Sequence, residues 1–259
     1  MKQTPSNSPL YRLPNLVAAA ARIGKPEWRP MLDYVARLHE RSILSPRMPF
    51  VRPWEEIGPG YQNSPAFGHW DIVHAILDEM RDEPFHARTQ IENDLDLQLP
   101  NGFLAGAIWM NGERAQWSST QSHPPVWSVA VDDYVAQTGD RGLIALAFPA
   151  AERQIAWFDA ERKADGEGYY YSDILTHEWE SGVDEGIRFL DVQQGPKACV
   201  DATAHVALLC RSAATWAVEM RRDPSPYLAR LDELTSFARE RLFDEETGFF
   251  HDIWAVGVP

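Results

Sequence analysis

The sequence predicts an all-α protein, and three observations support this. Apolar residues recur at helical spacing along most of the 259 residues, prolines precede most of these segments, and few segments alternate like a strand. Hydrophobic residues make up 44% of the chain and charged residues 24%, which is typical of a folded protein with a sizeable core. No linker divides the chain, so we expect one domain over residues 26–259, after a partly flexible N-terminal extension at residues 1–25.

The predicted helices follow one another along the chain with loops between them. They begin near Pro30, His69, Pro84, Pro125, Pro149, Val200 and Pro226. Gly139 is expected to end the fourth, because glycine readily adopts the left-handed conformation that closes many helices. The best strand signal is Phe249–Ile253, after a turn at Glu246–Gly248, which predicts a short β-hairpin near the C-terminus. Stacked helical hairpins form a solenoid or a closed ring, and the pattern alone favours neither.

Charge and cysteine content exclude several classes of partner. A formal net charge of −14 leaves no basic stripe for phosphates, so we expect neither nucleic acid nor a membrane surface as a partner. Cys199 and Cys210 are expected to be buried thiols in a reducing compartment, since no second pair completes a zinc site or a disulfide framework. The N-terminus lacks the apolar run of a signal peptide, and no window is long enough to span a membrane. We therefore expect a cytoplasmic protein without a metal ion or cofactor.

Tryptophans in predicted loops indicate a ligand. Trp109, Trp117 and Trp179 lie outside the helical stripes and beside polar residues such as Gln121 and Glu180. Flat aromatic faces next to hydrogen-bonding side chains suit a sugar, which offers a C–H face for stacking and a rim of hydroxyls. The alternative is that these tryptophans plug the ends of the helical bundle.

The segment His177–Phe189, HEWESGVDEGIRF, carries most of the functional signal. It groups several carboxylates with Trp179 and Arg188 around Ser181–Gly182, in a loop between helices. A solvated acidic loop is the alternative interpretation. Gly182 argues against a solvated loop because glycine permits a tight turn that can direct a neighbouring side chain inward. Arg188 also argues against it, because its guanidinium can bind a carboxylate or a sugar hydroxyl.

This segment resembles the E-S-G-x-D-x-x-x-R-[FW] signature of clan-G glycoside hydrolases. That group includes the family 37 trehalases and the family 63 enzymes, among them mannosylglycerate hydrolase-like proteins. The matching residues are Glu180, Ser181, Gly182, Asp184, Arg188 and Phe189. The resemblance implies an (α/α)6 toroid of six helical hairpins, with Asp184 as the general acid and Arg188 in the sugar-binding subsite.

Four further stretches resemble the same families in the same order. They are Phe67–Asp71, Leu99–Phe103, Ser122–Pro125 and Phe243–Asp252. The resemblance implies that Trp70 stacks on the sugar and that Asp71 accepts hydrogen bonds from it. His123 stands where those enzymes have Gln, so Gln121 is expected to take over that contact. We also count Trp117, His123, Trp179 and Glu180 among the predicted substrate-binding residues.

The resemblance further implies an inverting mechanism, in which two carboxyl groups stand about 6.5–9.5 Å apart so that a water molecule fits between. Burial and neighbours such as Glu180 are expected to raise the pKa of Asp184 so that it can donate a proton. The related enzymes carry the base far downstream, whereas only 75 residues (259 minus 184) follow Asp184 here. We interpret this as an incomplete toroid, with about two thirds of its helices, whose open edge favours a homo-oligomer.

The expected substrate is a small α-linked glucoside or mannoside. Trehalose, mannosylglycerate, glucosylglycerate and short α-glucosides remain open. Two other functions also stay open at this point. One is a sugar epimerase or isomerase, since His69, His74, His123 and His205 could supply paired histidines. The other is a non-catalytic sugar-binding or scaffold protein.

Overall fold

The computed structural model describes residues 11–57, 64–112, 114–165, 167–176, 179–183, 186, 188, 195 and 197–254. The chain forms two compact units, described separately below. The first comprises the described residues up to Asp96 together with Ala107–Trp117, and the second comprises Leu97–Gly106 and the described residues from Ser118 onward. Helices dominate both, as predicted. None of the described helices is long and apolar enough to cross a membrane.

The first unit contains four helices and five short strands. The helices are α1 (Pro14–Ala20), α2 (Arg29–Ser42), α3 (Asp71–Glu79) and α4 (Pro84–Asp96). The strands are β1 (Ile43–Leu44), β2 (Trp54–Glu55), β3 (Ala66–Gly68), β4 (Ala107–Asn111) and β5 (Arg114–Trp117). Strand β1 pairs with β2, and β3, β4 and β5 form an antiparallel sheet in that order.

Two features of this unit differ from the sequence prediction. Helix α1 lies inside the predicted N-terminal extension and packs against α2. The three-stranded sheet was not predicted, because β4 begins as an apolar run, Ala-Ile-Trp-Met, that lacks the alternation of a half-exposed strand. Aromatic rings pack together in the core. Phe50 stacks on Trp54 with centroids 4.5 Å apart, and the tilted ring of Phe67 lies 5.0 Å from Phe50.

The second unit contains five helices and four short strands. The helices are α5 (Trp127–Thr138), α6 (Ile144–Glu161), α7 (Asp173–Thr176), α8 (Val200–Glu219) and α9 (Ser225–Phe237), and a π-helical turn at Ala238–Leu242 extends α9. The strands are β6 (Lys197–Ala198), β7 (Phe243–Asp244), β8 (Phe249–Phe250) and β9 (Ile253–Trp254). Strands β7 and β8 form the predicted C-terminal hairpin, whereas β9 pairs with β6.

The prediction that Pro149 begins a helix is wrong. Helix α6 begins five residues earlier, at Ile144, and Pro149 lies inside it. A 3-10 turn at Arg141–Leu143 leads into α6, and its start is capped by the Asp140 carboxylate, which accepts a hydrogen bond from the Gly142 amide at 2.9 Å. The proline costs one backbone hydrogen bond, and the burial of neighbours such as Phe148 offsets that cost.

Helices α5 and α8 are joined across the core of the second unit. The Asp132 carboxylate accepts hydrogen bonds from Ser212 Oγ at 2.6 Å and from Trp216 Nε1 at 2.7 Å. The rings of Trp127 and Trp216 lie 5.7 Å apart. Gly139 ends α5 with a φ of 73°, as predicted. Cys199 and Cys210 are buried free thiols, also as predicted.

The loop Leu99–Phe103 packs tightly against α6. The Asn101 side chain accepts a hydrogen bond from the Phe103 amide at 3.1 Å, and Gly102 between them has a φ of +94°. A Cβ atom at Gly102 would lie 2.0 Å from the Arg153 carbonyl oxygen, so only glycine fits there.

We expect Gly102→Ala to lower the free energy of unfolding by about 3 kcal/mol or more, because it adds a clash with a helix backbone to an unfavourable φ. Gly139→Ala is the matched control. Its φ of 73° is also positive, but nothing lies within 4 Å of the added methyl group, so its expected loss is about 1 kcal/mol. Urea denaturation measures both losses, and equal losses would contradict the close approach.

Candidate active site

The described part of the predicted active-site loop is held in the second unit by the side chain of Glu180. Its Oε1 accepts hydrogen bonds from the Ser122 amide at 2.8 Å and from Arg162 Nη2 at 3.1 Å. Its Oε2 accepts from Arg162 Nε at 2.8 Å and from the Ser172 amide at 2.5 Å. Each oxygen therefore has two donors, and Glu180 has no exposed surface.

Arg162 is the charged partner in this arrangement. It follows the C-terminal end of α6 and forms a two-pronged ion pair with the Glu180 carboxylate. Its remaining donors reach the backbone carbonyls of Thr120 and Glu161. Arg162 is only 9% exposed, so the pair is buried and each charge depends on the other.

A second buried carboxylate holds the next residue of the loop. Asp173 begins α7 and accepts hydrogen bonds from the Ser181 amide at 2.8 Å and from Ser181 Oγ at 2.5 Å. Burial raises the pKa of Asp173 to about 6, although the bonds from Ser181 oppose that rise. Glu180 and Ser181 are thus fixed by two separate carboxylate contacts.

The loop turns sharply after these two residues. Gly182 has a φ of 74°, and its amide donates to the Trp179 carbonyl at 3.1 Å. The Val183 amide donates to Ser181 Oγ at 3.1 Å. The tight turn predicted at Gly182 is confirmed, and Val183 directly precedes Asp184.

Trp179 lies against His123 beside a glycine. The two rings are 4.9 Å apart, and His123 Nδ1 lies 3.1 Å from the Glu180 carbonyl oxygen, so this nitrogen carries a proton and donates. A Cβ atom at Gly106 would lie 2.7 Å from the Trp179 ring. The Gln121 carbonyl oxygen accepts a bond from the Gly106 amide at 2.9 Å. The imidazole of His123 therefore contacts two residues of the motif, the Trp179 ring and the Glu180 backbone carbonyl.

Arg188 is held by two carboxylates at the far end of the motif. Its Nη2 donates to Asp201 at 2.7 Å and its Nη1 to Asp252 at 3.3 Å. Burial would lower the pKa of Arg188, but the hydrogen bond and charge of Asp201 raise it above the ordinary value. The Arg188 side chain as a whole is 24% exposed, so the charged residue is partly open to solvent.

Three predicted residues belong to the first unit. Trp70 directly precedes α3, and its ring lies 5.6 Å from that of His74. Asp71 is the first residue of α3 and is exposed. Trp117 ends β5, paired with Ile108 of β4, and is half-buried.

Asp184 lies outside the described residues, as do Glu178 and Phe189. The substrate-binding role of Glu180 stays a prediction. Both of its oxygens accept hydrogen bonds from protein donors, so its carboxylate positions the loop.

The histidines do not favour the epimerase alternative. His69 is buried and lies 2.9 Å from Asp94, and His205 lies 2.9 Å from the Tyr171 hydroxyl. His123 contacts the Glu180 carbonyl. Each is held by a different kind of group and not by a second histidine.

Comparison with known proteins assigns the family. A sequence profile of the mannosylglycerate hydrolase MGH1-like glycoside hydrolase domain matches residues 64–257. The chain belongs to this family. A search of curated protein sequences finds no significant match.

The fold of the family is also found among solved structures. Three are crystal structures of the family 63 mannosylglycerate hydrolase from Thermus thermophilus. The complex with glucose is 20% identical, with a TM-score of 0.61 over 76% of this chain and 62% of that one. The complex with Tris is 15% identical, with a TM-score of 0.64 over 87% of this chain and 70% of that one. The complex with Tris and D-glycerate is 16% identical, with a TM-score of 0.62 over 83% of this chain and 65% of that one.

These matches confirm the predicted helical toroid class and the family 63 resemblance. They also show how much of each solved chain this protein covers. The chain spans about three fifths of the length of the first two structures it matches, 62% and 60%.

Sequence reasoning missed the residues that hold the family motif in place. Arg162 directly follows α6 and Asp173 begins α7, and neither lies in a recognised motif. Asp252 was within the quoted hairpin stretch, yet its contact with Arg188 spans 64 residues of sequence. Asp201, in the first turn of α8, gave no signal.

We expect Glu180→Gln to lower the free energy of unfolding by about 3–5 kcal/mol, because it leaves Arg162 as a buried charge without its partner. Urea denaturation followed by tryptophan fluorescence measures the loss. Glu161→Gln changes a nearby exposed carboxylate and is expected to stay within about 0.5 kcal/mol of wild type. A Glu180→Gln variant as stable as this control would refute the anchoring role.

Asp173 is expected to make stability depend on pH. Its pKa is raised from 3.8 to about 6 on folding, so the folded state holds the proton more tightly than the unfolded chain does. This stabilisation is fully present below about pH 4 and is lost as the pH rises through 6; a shift of this size corresponds to about 3 kcal/mol. Asp173→Asn cannot titrate, so the stability difference between wild type and this variant should change between pH 4 and pH 7. A difference that is equal at the two pH values would contradict the raised pKa.

Proposed function

We propose that the protein is an inverting glycoside hydrolase acting on a small α-linked mannoside or glucoside of the glycosyl-glycerate type. Family membership over residues 64–257 supports the hydrolase activity. The substrate class is supported by the similar enzyme, which is named for mannosylglycerate and binds glucose and D-glycerate in separate crystal structures. The observation that carries the proposal is the double anchoring of Glu180 and Ser181 just before Asp184.

Asp184 is proposed as the general acid. The contacts at Glu180, Ser181 and Gly182 fix the backbone up to Val183, the residue that precedes Asp184 in the sequence. A rigid support is what an acid needs, because proton transfer depends on a short, directed approach to the leaving oxygen. Proton donation near neutrality also needs a raised pKa, which we include in the proposal for Asp184.

The proposed reaction is a single displacement. Asp184 protonates the glycosidic oxygen, the bond between that oxygen and the anomeric carbon breaks, and water attacks the carbon from the opposite face. A second carboxylate accepts the proton of that water, and we assign it to no residue. The product sugar has the inverted configuration, so an α-glycoside yields the β-anomer first.

Sugar binding is proposed for exposed or half-exposed residues of the predicted set. Trp179 can stack on a sugar face, and Arg188, charged and partly open, can donate to a hydroxyl or to the glycerate carboxylate. Gln121, which is half-buried, is proposed for the same subsite, and the buried His123 is proposed to support it through its contact with the Trp179 ring. Trp70, Asp71 and Trp117 of the first unit keep the proposed substrate-binding roles that the resemblance and their exposure give them.

The acid role is tested with two substrates and the full-length gene product. Asp184→Asn is expected to lower kcat on α-mannosylglycerate by about 100-fold or more. On α-mannosyl fluoride the loss should be under about tenfold, because fluoride departs without needing a proton from a general acid. Proton NMR follows both reactions and identifies the first anomer released.

Glu185→Gln, at the neighbouring carboxylate, is the matched control and should retain activity on both substrates within a few-fold. Equal losses of Asp184→Asn on both substrates would contradict the acid role. Release of the α-anomer first would contradict inversion, and sugar binding without any hydrolysis would favour a non-catalytic protein.

A further inference from the structure

Two histidines and two glutamates meet inside the first unit. They come from four elements: His39 from α2, Glu55 from β2, Glu79 from the end of α3 and His86 from the first turn of α4. We refer to these four residues as the His–Glu cluster. Both glutamates are buried, and the imidazole side chains are only 11% and 12% exposed.

One donor atom each from His39, Glu55 and Glu79 lies within 4.8 Å of the other two, and His86 approaches the second oxygen of each glutamate. His39 Nδ1 lies 2.7 Å from Glu55 Oε1 and 3.0 Å from Glu79 Oε1. His86 Nε2 lies 3.2 Å from Glu55 Oε2 and 3.4 Å from Glu79 Oε2. Donor atoms around a tetrahedral zinc ion stand roughly 3.3 Å apart, given bonds of about 2.0–2.1 Å.

Glu79 is the member that protein contacts leave unsatisfied. Its side chain is 0% exposed, and among the described residues neither of its oxygens has a hydrogen-bond partner. His39 Nδ1 is close to it but directs its hydrogen bond to Glu55. A fully buried carboxylate without donors is costly unless it binds a proton or a cation.

We propose that the His–Glu cluster binds one divalent cation of the zinc class. Two imidazole nitrogens and two carboxylates are a typical ligand set for zinc and for its first-row neighbours, whereas magnesium and calcium prefer oxygen alone. Two neutral imidazoles and two carboxylates carry a charge of −2, which one such ion neutralises. The proposal is independent of the glycosidase function.

The surroundings of the cluster fit a metal site. The other nitrogen of His39, Nε2, lies 3.7 Å from Asp78, the kind of outer carboxylate that orients a metal-bound histidine. The Gln90 side chain accepts a hydrogen bond from the Glu55 amide at 3.0 Å and fixes that strand. A pocket of 310 Å³ opens on His39 and Glu55 and offers the ion an entry path.

Protons compete with the ion for this cluster. Without a cation, burial and the charge of Glu55 raise the pKa of Glu79 well above its ordinary value. Burial lowers the pKa of His39, but the neighbouring carboxylates of Asp78, Glu55 and Glu79 raise it to about 12. The alternative to a metal site is therefore a protonated Glu79 beside a charged His39.

Zinc binding distinguishes the two possibilities. Zn²⁺ is titrated calorimetrically into the chelator-treated protein, and Co²⁺ is added separately to record the visible absorption of a tetrahedral site. We expect one ion per chain and a rise in Tm of about 5 °C at saturating Zn²⁺. The expected rise follows from linking α2, β2, α3 and α4 through one ion.

Glu79→Gln is the decisive variant. Glutamine has the size of a protonated glutamate, so the metal-free variant should keep the wild-type Tm while its affinity for Zn²⁺ falls about 100-fold. His86→Gln should weaken binding in the same way and serves if the first variant does not fold. His74→Gln changes a histidine that lines the same pocket outside the cluster, and its affinity should stay within twofold of wild type.

Two results would overturn the proposal. One is that wild-type protein binds Zn²⁺ no more tightly than Glu79→Gln does. The cluster would then hold a protonated Glu79 beside a charged His39 and no metal ion. The other is stoichiometric binding that survives both Glu79→Gln and His86→Gln, which would place the ion elsewhere.

Discussion

A buried carboxylate needs a donor for every lone pair that would otherwise face water, and Glu180 meets this requirement with donors from three segments. Arg162 supplies the opposite charge, and the amides of Ser122 and Ser172 supply the remaining bonds. The segments around these residues and the active-site loop therefore converge on one side chain. A buried ion pair adds little to the free energy of unfolding but is costly to break. The Glu180–Arg162 pair therefore mainly fixes the position of the loop.

The sequence predicted most helices because their apolar residues repeat at helical spacing and proline or glycine marks their ends. Helix α4 begins at Pro84 and α5 ends at Gly139, as expected. The start of α6 was predicted wrongly at Pro149. The local sequence around a proline inside a helix resembles that around a proline at a helix start, and only packing against the core distinguishes the two. The sheet of the first unit was missed because β4 begins as an apolar run without alternation, and because β3 pairs with β4 over about 40 residues of sequence.

Residues of the candidate active site could be predicted only where they belong to a contiguous sequence motif. Glu180, Ser181 and Gly182 were found through the signature, but the partner of Glu180, Arg162, lies 18 residues earlier and was not. The motif also did not show that Glu180 points into the protein. The His–Glu cluster gave no signal, because its members span four elements and no spacing rule relates them.

The central claim is that a buried carboxylate holds the loop before Asp184 rigid. Hydrogen exchange of the Ser122, Ser172 and Ser181 amides, which donate to Glu180 or Asp173, measures that rigidity directly. The claim predicts exchange as slow as that of the central amides of α8, and faster exchange at Ser122 and Ser172 in Glu180→Gln. Exchange as fast as in an exposed loop in the wild-type protein would contradict it.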